Sequence, residues 1–317
     1  MSQDVSPPTP PASDEWTVRK VLEWTTSHLK KHGSDTPRLD AEILLAHARG
    51  CKRIQLYTAY DESLTPAVRA TMRDLVQRRA QAEPVAYLVG HREFFSLDFR
   101  VTRDVLIPRP DTETLVIEII DAIKASASAR STDAESAPPL RVLDLCTGSG
   151  CVAIAVAKHC QTQKLNVSVT AADISSAALA IARENVTQHA VDNRVELLEG
   201  DLCSTLPRDV KFEIIASNPP YVPTAEIDTL DPEVARHEPR LALDGGTTGF
   251  DVIDRLIAQA PAHAAPGALF LMELSPEQAE SAERRLLAHG SYSEVTVRKD
   301  LGGRPRVLRA RITPSSP

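Results

Sequence analysis

The stretch Leu140-Arg-Val-Leu-Asp144-Leu-Cys-Thr-Gly148-Ser-Gly150 passes from an apolar strand into a glycine turn that opens a helix. Residues 141–145 have the length and character of a buried strand, and residues 151–159 continue at helical spacing. Glycines at 148 and 150 let the backbone approach a ligand closely and aim helix N–H groups at it. A tight turn that binds nothing would look the same in isolation, so its neighbours decide. Strand-like runs follow at 167–172, 194–198, 212–216, 268–273, 294–298 and 306–312. Helical runs lie between them at 176–188, 250–263 and 276–289. This alternation predicts a doubly wound α/β domain with seven strands in a mostly parallel sheet. The short loop 299–305, with Gly302-Gly303, predicts that the last two strands pair as an antiparallel hairpin.

Upstream the pattern differs. Residues 1–13 are rich in Pro, Ser and Thr and read as a disordered tail. Residues 14–85 read as a small all-helical domain of three helices. The first places Trp16, Val21, Leu22 and Leu29 on one face up to Gly33. The second runs from Pro37 to Gly50 with Leu39, Ile43, Leu44, Leu45 and His47. The third starts at an N-cap Thr65 with Pro66 in its first turn and ends near Ala82. A β-containing connector, 86–110, is expected to hold one strand at 95–101, where every second residue is apolar. The main domain then spans 111–313. Its first helix is expected over 111–125, followed by a flexible Ser/Ala/Pro insertion at 126–139.

The chain has 317 residues, 42% of them hydrophobic and 25% charged, with a formal net charge of −7. That acidic balance argues against a dedicated nucleic-acid binder. The absence of a long apolar run or a basic, apolar N-terminal leader predicts no membrane partner and a cytoplasmic protein. Cys51, Cys146, Cys151, Cys160 and Cys203 form no CxxC pair or Cys/His cluster. They are expected to be reduced thiols, and no metal is predicted.

Ligands of such sheets bind beyond the carboxyl ends of the strands, at the switch point. The second strand of the main domain ends in Ala-Ala-Asp173, a carboxylate placed to accept both hydroxyls of a ribose. It follows Gly148 by 25 residues, the spacing of a nucleotide-binding βαβ unit. The third strand ends in Glu199-Gly-Asp201-Leu202, where the backbone and Asp201 would face an adenine. A dehydrogenase uses the same geometry, but its G-x-G-x-x-G pattern is not met, because Ala153 occupies the third position.

The fourth strand ends in Asn218-Pro-Pro-Tyr221. Two prolines stiffen this loop. The Asn218 side chain and the Pro219 carbonyl are acceptors, and Tyr221 offers a flat face. Together they suit a planar NH2 group, whose delocalised lone pair makes it a poor nucleophile. Acceptors on its two N–H bonds would orient the nitrogen for in-line attack on a sulfonium methyl.

Asp144-Leu-Cys-Thr-Gly-Ser-Gly150, Asp173 and Asn218-Pro-Pro-Tyr221-Val222 resemble the amino-methyltransferases that bind S-adenosylmethionine on a seven-strand domain. Segments 83–95, Leu106-Ile-Pro-Arg-Pro-Asp-Thr-Glu113 and His237-Glu-Pro-Arg-Leu-Ala-Leu243 narrow the resemblance to the peptide chain release factor glutamine methyltransferases. Segments 38–45 and 300–306 agree, so the likeness runs over residues 17–313. The resemblance implies methylation of the N5 amide of the glutamine in a release factor's Gly-Gly-Gln motif, leaving S-adenosylhomocysteine. It implies cofactor contacts from Cys146, Thr147, Gly148, Ser149, Gly150, Asp173, Leu202 and Asn218. It implies a substrate site formed by Asn218, Pro219, Pro220 and Tyr221, with Asn218, Pro219 and Tyr221 catalytic. Cys146 stands where many members have glycine, and Leu202 where many have an aromatic residue. Two related readings remain. A ribosomal-protein glutamine methyltransferase would carry Pro-Arg-Ser-Pro where Pro108-Arg-Pro-Asp111 stands here. A nucleic-acid adenine methyltransferase would bring a basic recognition region. Because all the chemistry lies after Leu140, the helical domain is expected to dock the release factor.

Overall fold

A computed structural model describes residues 16–129 and 138–313. The expected tail 1–13 and the segment 130–137 of the expected insertion lie outside the described residues. Two compact units divide between Val89 and Gly90.

The first unit holds five helices among the described residues, where the sequence suggested three: α1 (Val18–Lys31), α2 (Pro37–Arg49), α3 (Arg53–Thr58), α4 (Pro66–Arg79) and α5 (Val85–Val89). The additional two are single short turns, below the length at which periodicity is legible. Val18, Leu22 and Leu29 of α1 pack with Leu44 and Leu45 of α2 and Leu75 of α4. Thr65 caps α4 by accepting from the Val68 N–H, and Gly50 closes α2 in the left-handed conformation. A buried ion pair joins Arg79 to Asp40 at 2.8 Å, and the hydroxyls of Ser34 and Thr36 also donate to Asp40. Trp16 and Leu39, expected on packed faces, are exposed instead.

The second unit opens with β1 (His91–Phe94) and β2 (Leu97–Arg100), an antiparallel hairpin in place of the single strand expected over 95–101. Its two-residue turn is Phe95-Ser96, with φ of 50° and 59°. Such turns usually carry Asn-Gly, so the sequence gives no signal for this one. Then follow α6 (Glu113–Ala129), β3 (Leu140–Leu145), α7 (Cys151–Thr162), β4 (Val167–Asp173), α8 (Ser176–Gln188), β5 (Val195–Glu199) and β6 (Phe212–Ser217). The chain ends with α9 (Pro232–His237), α10 (Asp251–Gln259), β7 (Ala264–Glu273), α11 (Ala279–His289), β8 (Tyr292–Lys299) and β9 (Pro305–Ile312). Helix α6 thus extends to Ala129, into the segment expected to be flexible. The helix expected over 250–263 ends as a 3-10 turn after Gln259, at Pro261.

The seven strands lie in the order β5-β4-β3-β6-β7-β9-β8. The first five are parallel, and β9 is antiparallel to both β7 and β8. Adjacent residues of each strand face opposite layers. Val142, Ile214 and Leu271 join one core with α6 and α7. Leu143, Ile215 and Phe270 join the other with α10 and α11. The strand order reverses between β3 and β6, and a crevice opens there beyond their carboxyl ends.

Asn185, fully buried on α8, ties three parts of this unit together. Its Oδ1 accepts from the Arg100 N–H at 2.8 Å. Its Nδ2 donates to the carbonyls of Arg100 (3.1 Å) and Ser149 (2.9 Å). Asn185→Leu should therefore strand three backbone groups and destabilise the protein by roughly 2–4 kcal/mol. Chemical denaturation checks this, and an unchanged midpoint would contradict the role assigned to the amide.

Candidate active site

The turn from β3 to α7 is built from left-handed residues: φ is 61° at Cys146, 57° at Gly148 and 79° at Gly150. Gly150 is also closely packed: a Cβ there would stand 3.0 Å from the tip of Ile154 and 3.3 Å from the Ala182 Cβ, so those side chains would have to give way. At Gly148 nothing lies within 4 Å of that position, so the backbone faces open space. The left-handed φ explains why glycine suits position 146, and cysteine holds it under local strain.

Two carboxyls brace this turn. Asp144 is buried and accepts from the Thr147 hydroxyl at 2.6 Å; burial pushes its carboxyl up to about 7. Asp173, at the tip of β4, accepts from the Gly148 N–H at 2.8 Å and from the Ser175 N–H at 2.9 Å. Burial raises its pKa against those bonds. The acid suggested by the sequence therefore also fastens the glycine turn.

At the tip of β5, Leu202 is buried with φ of 52°, and Asp201 is ion-paired to Arg255 of α10. At the tip of β6, the Ser217 hydroxyl donates to the Leu145 carbonyl at 2.8 Å, locking β6 to β3. Asn218 follows, half-buried, its Nδ2 donating to Thr112 Oγ1 at 3.3 Å. Cys146, Thr147, Gly148, Ser149, Asp173, Leu202, Asn218 and Pro220 all line one cavity. Gly150, Pro219 and Tyr221 are not among its lining residues. The Tyr221 phenol is pushed up to about 12 by burial, with Glu273 close by.

The proline loop is held from behind. Val222 N–H donates to the Leu243 carbonyl, and Gly245 N–H returns to the Val222 carbonyl at 2.8 Å. Gln278 donates Nε2 to the carbonyls of Tyr221 (2.9 Å) and Gly249 (3.2 Å). A Cβ on Gly245 would stand 2.8 Å from Tyr221 Cα, so this approach needs glycine.

The sequence reading missed one wall of the cavity, formed by Val105, Leu106, Pro108 and Arg109 on one segment and Leu241 and Ala242 on another. Buried Glu238 clasps the two segments, accepting from Arg109 Nη2 at 2.5 Å and from the Ile107 N–H at 3.4 Å. Opposite charges 129 residues apart give no local signal of that pairing.

Comparison with known proteins agrees with this architecture. Residues 20–90 match the PrmC N-terminal domain model, and residues 132–236 match the methyltransferase small domain. The catalytic domain of hMettl16, solved with an RNA hairpin, has a TM-score of 0.54 at 15% identity, covering 77% of this chain and 83% of that one. That likeness concerns the fold alone. The release factor glutamine methyltransferase of Rhodopirellula baltica is 46% identical over 293 residues, 92% of this chain and 95% of its own. Its counterpart from Geobacter sulfurreducens is 40% identical over 94% of this chain and 97% of its own. At that identity over nearly the whole length of both proteins, the chain belongs to the release factor glutamine methyltransferase family.

Proposed function

We propose that this chain transfers a methyl group from S-adenosylmethionine to the N5 amide nitrogen of the glutamine in the Gly-Gly-Gln motif of peptide chain release factors. The observation that carries this reading is the position of Asn218. It sits at the switch point of the sheet, beside the glycine turn, with Nδ2 engaged by Thr112 and Oδ1 therefore turned away from it. The cavity suits the cofactor. The open backbone at Gly148, the Asp173 carboxylate and the apolar Leu202 match its charged, ribose and adenine parts in turn. When bound, S-adenosylmethionine supplies a methyl group made electrophilic by its sulfonium charge.

The remaining work belongs to the protein. An amide nitrogen must be held with its plane aligned, because its lone pair is delocalised. Asn218 Oδ1 and the Pro219 carbonyl would accept its two N–H bonds, fixing that plane and offsetting the positive charge that develops on nitrogen. Pro219 has no N–H to compete, and the clasp of Gln278 and Gly245 keeps the loop from relaxing. Release factors act in translation, so the reading places the reaction in the cytoplasm.

A glutamine amide is too small and common to identify one substrate, so a remote surface must select the factor. We assign this to the helical unit. Leu39 and Tyr57 are exposed and line a shallow groove with Arg38 and Arg53, and Ile54 beside them is 69% exposed.

Asp173→Ala should weaken cofactor binding about tenfold or more, the loss of roughly 1.5–3 kcal/mol expected for bonds to a charged group. Asn218→Ala should keep the fold and most cofactor affinity yet slow turnover on the order of 10²-fold. Calorimetry and methyl-transfer assays on a purified release factor measure both. Undiminished affinity in the first variant, or undiminished turnover in the second, would refute the corresponding role. A Leu39→Asp, Ile54→Asp double variant should raise KM for the folded factor about tenfold or more while sparing cofactor affinity. An unchanged KM would remove this surface from the docking model.

A further inference from the structure

The cavity that suits the cofactor carries more acid than base. Among its described lining residues stand five aspartates, Asp144 and Asp173 included, and two cations, Arg109 and Arg255. Arg255 is already engaged: it pairs with Asp201 at 2.5 Å, beside Leu202 at the tip of β5. Under the function proposed above, that end of the cavity meets the adenine.

Beyond its sulfur, S-adenosylmethionine ends in an amino acid that carries an ammonium and a carboxylate. The acids and carbonyls of the glycine turn suit the ammonium. They do not suit the carboxylate, because the donors of the turn are largely spent on the turn itself. The Thr147 N–H donates to the Ala172 carbonyl at 3.1 Å, and the Gly150 N–H to the Thr147 carbonyl at 2.9 Å. Asp173 takes the Gly148 N–H, and Asp144 takes the Thr147 hydroxyl. An anion brought to a turn rimmed by two carboxyls needs a cation from elsewhere.

We infer, on the basis of that function, that Arg109 takes the carboxylate of the cofactor's amino-acid end. Arg109 is half-buried and reaches the cavity from the segment before α6. Its Nη2 donates to Glu238 at 2.5 Å, while Nε and Nη1 meet no partner among the described residues. A guanidinium keeps its charge at any working pH, and its remaining N–H groups match a carboxylate. Glu238, whose side chain is 1% exposed, holds that guanidinium against the wall. Little side-chain freedom is then left to lose when the ligand arrives.

The test is calorimetric binding of two ligands to the full chain, and it needs no release factor. One ligand is S-adenosylhomocysteine, the product, which keeps the amino-acid end. The other is S-adenosyl-3-thiopropylamine, the same molecule without its carboxylate. Wild-type protein should bind the first about tenfold or more tightly than the second, the scale of a hydrogen-bonded ion pair. Arg109→Gln should weaken S-adenosylhomocysteine by about that factor and leave the decarboxylated ligand nearly unchanged, so that the two bind alike. Thermal melting checks that the variant is folded, since it also gives up the ion pair with Glu238. Equal losses for both ligands would mean that Arg109 only supports the wall, and would overturn the assignment. A wild-type chain that binds the two ligands equally would overturn it without any variant. A chain that shows the preference, loses it in Arg109→Gln, and leaves release factors unmethylated would support Arg109 while overturning the proposed target.

Discussion

The whole site depends on a constraint of parallel sheets: adjacent strands whose connections leave to opposite faces must open a crevice between their carboxyl ends. Here those strands are β3 and β6, and the Ser217 hydroxyl, bonded to the Leu145 carbonyl, sets their tips level. On one side of the crevice the chain must turn at once into α7, which forces the left-handed series at Cys146, Gly148 and Gly150. On the other it must leave the sheet without a helix, and the two prolines after Asn218 provide that exit. Asp173 from β4 closes the arrangement by holding the Gly148 and Ser175 N–H groups. One carboxylate thus shapes the turn, and under the proposed function the same group would meet the cofactor's ribose.

Much of this was legible because strand tips concentrate unusual residues. A glycine pair, a terminal Asp and an Asn-Pro-Pro run each mark a place where ordinary strand and helix preferences stop. The alternation of seven strands with helices predicted the doubly wound sheet, and the terminal hairpin followed from a short glycine loop. The misses share a cause. Phe95-Ser96 makes a tight turn out of residues that prefer extended backbone, so the alternating pattern passed for one strand. The Arg109 and Glu238 clasp, the Gln278 bonds and the Asn185 tie all join residues far apart in sequence. Each motif was visible as a string of letters, while its function of holding another segment was not.

Asn185 and Gln278 illustrate how that support is distributed. Both are amides in helical segments, and both use their side chains to satisfy backbone groups of a loop that cannot satisfy its own. Buried backbone polar groups must find partners somewhere. A strand-tip loop shaped for a ligand has given up the regular ladder, so its partners come from side chains behind it. This is why the residues behind such a site are buried polar ones rather than aliphatic ones.

The same geometry carries a thermodynamic cost with a definite pH sign. Asp144 and Glu273 are buried with carboxyls raised to about 7, far above the range they would have in an unfolded chain. Between about pH 4 and pH 7 the folded protein holds protons that the unfolded chain has released. Stability from these groups is therefore greatest in acid, falls as pH rises through that window, and levels off above it. A fold selected for stability alone would replace them with apolar residues of similar size. Asp144 has a further effect: it accepts from the Thr147 hydroxyl at 2.6 Å inside the glycine turn. That bond fixes the orientation of a hydroxyl in the turn, and the stability Asp144 loses at neutral pH is the counterpart of that order.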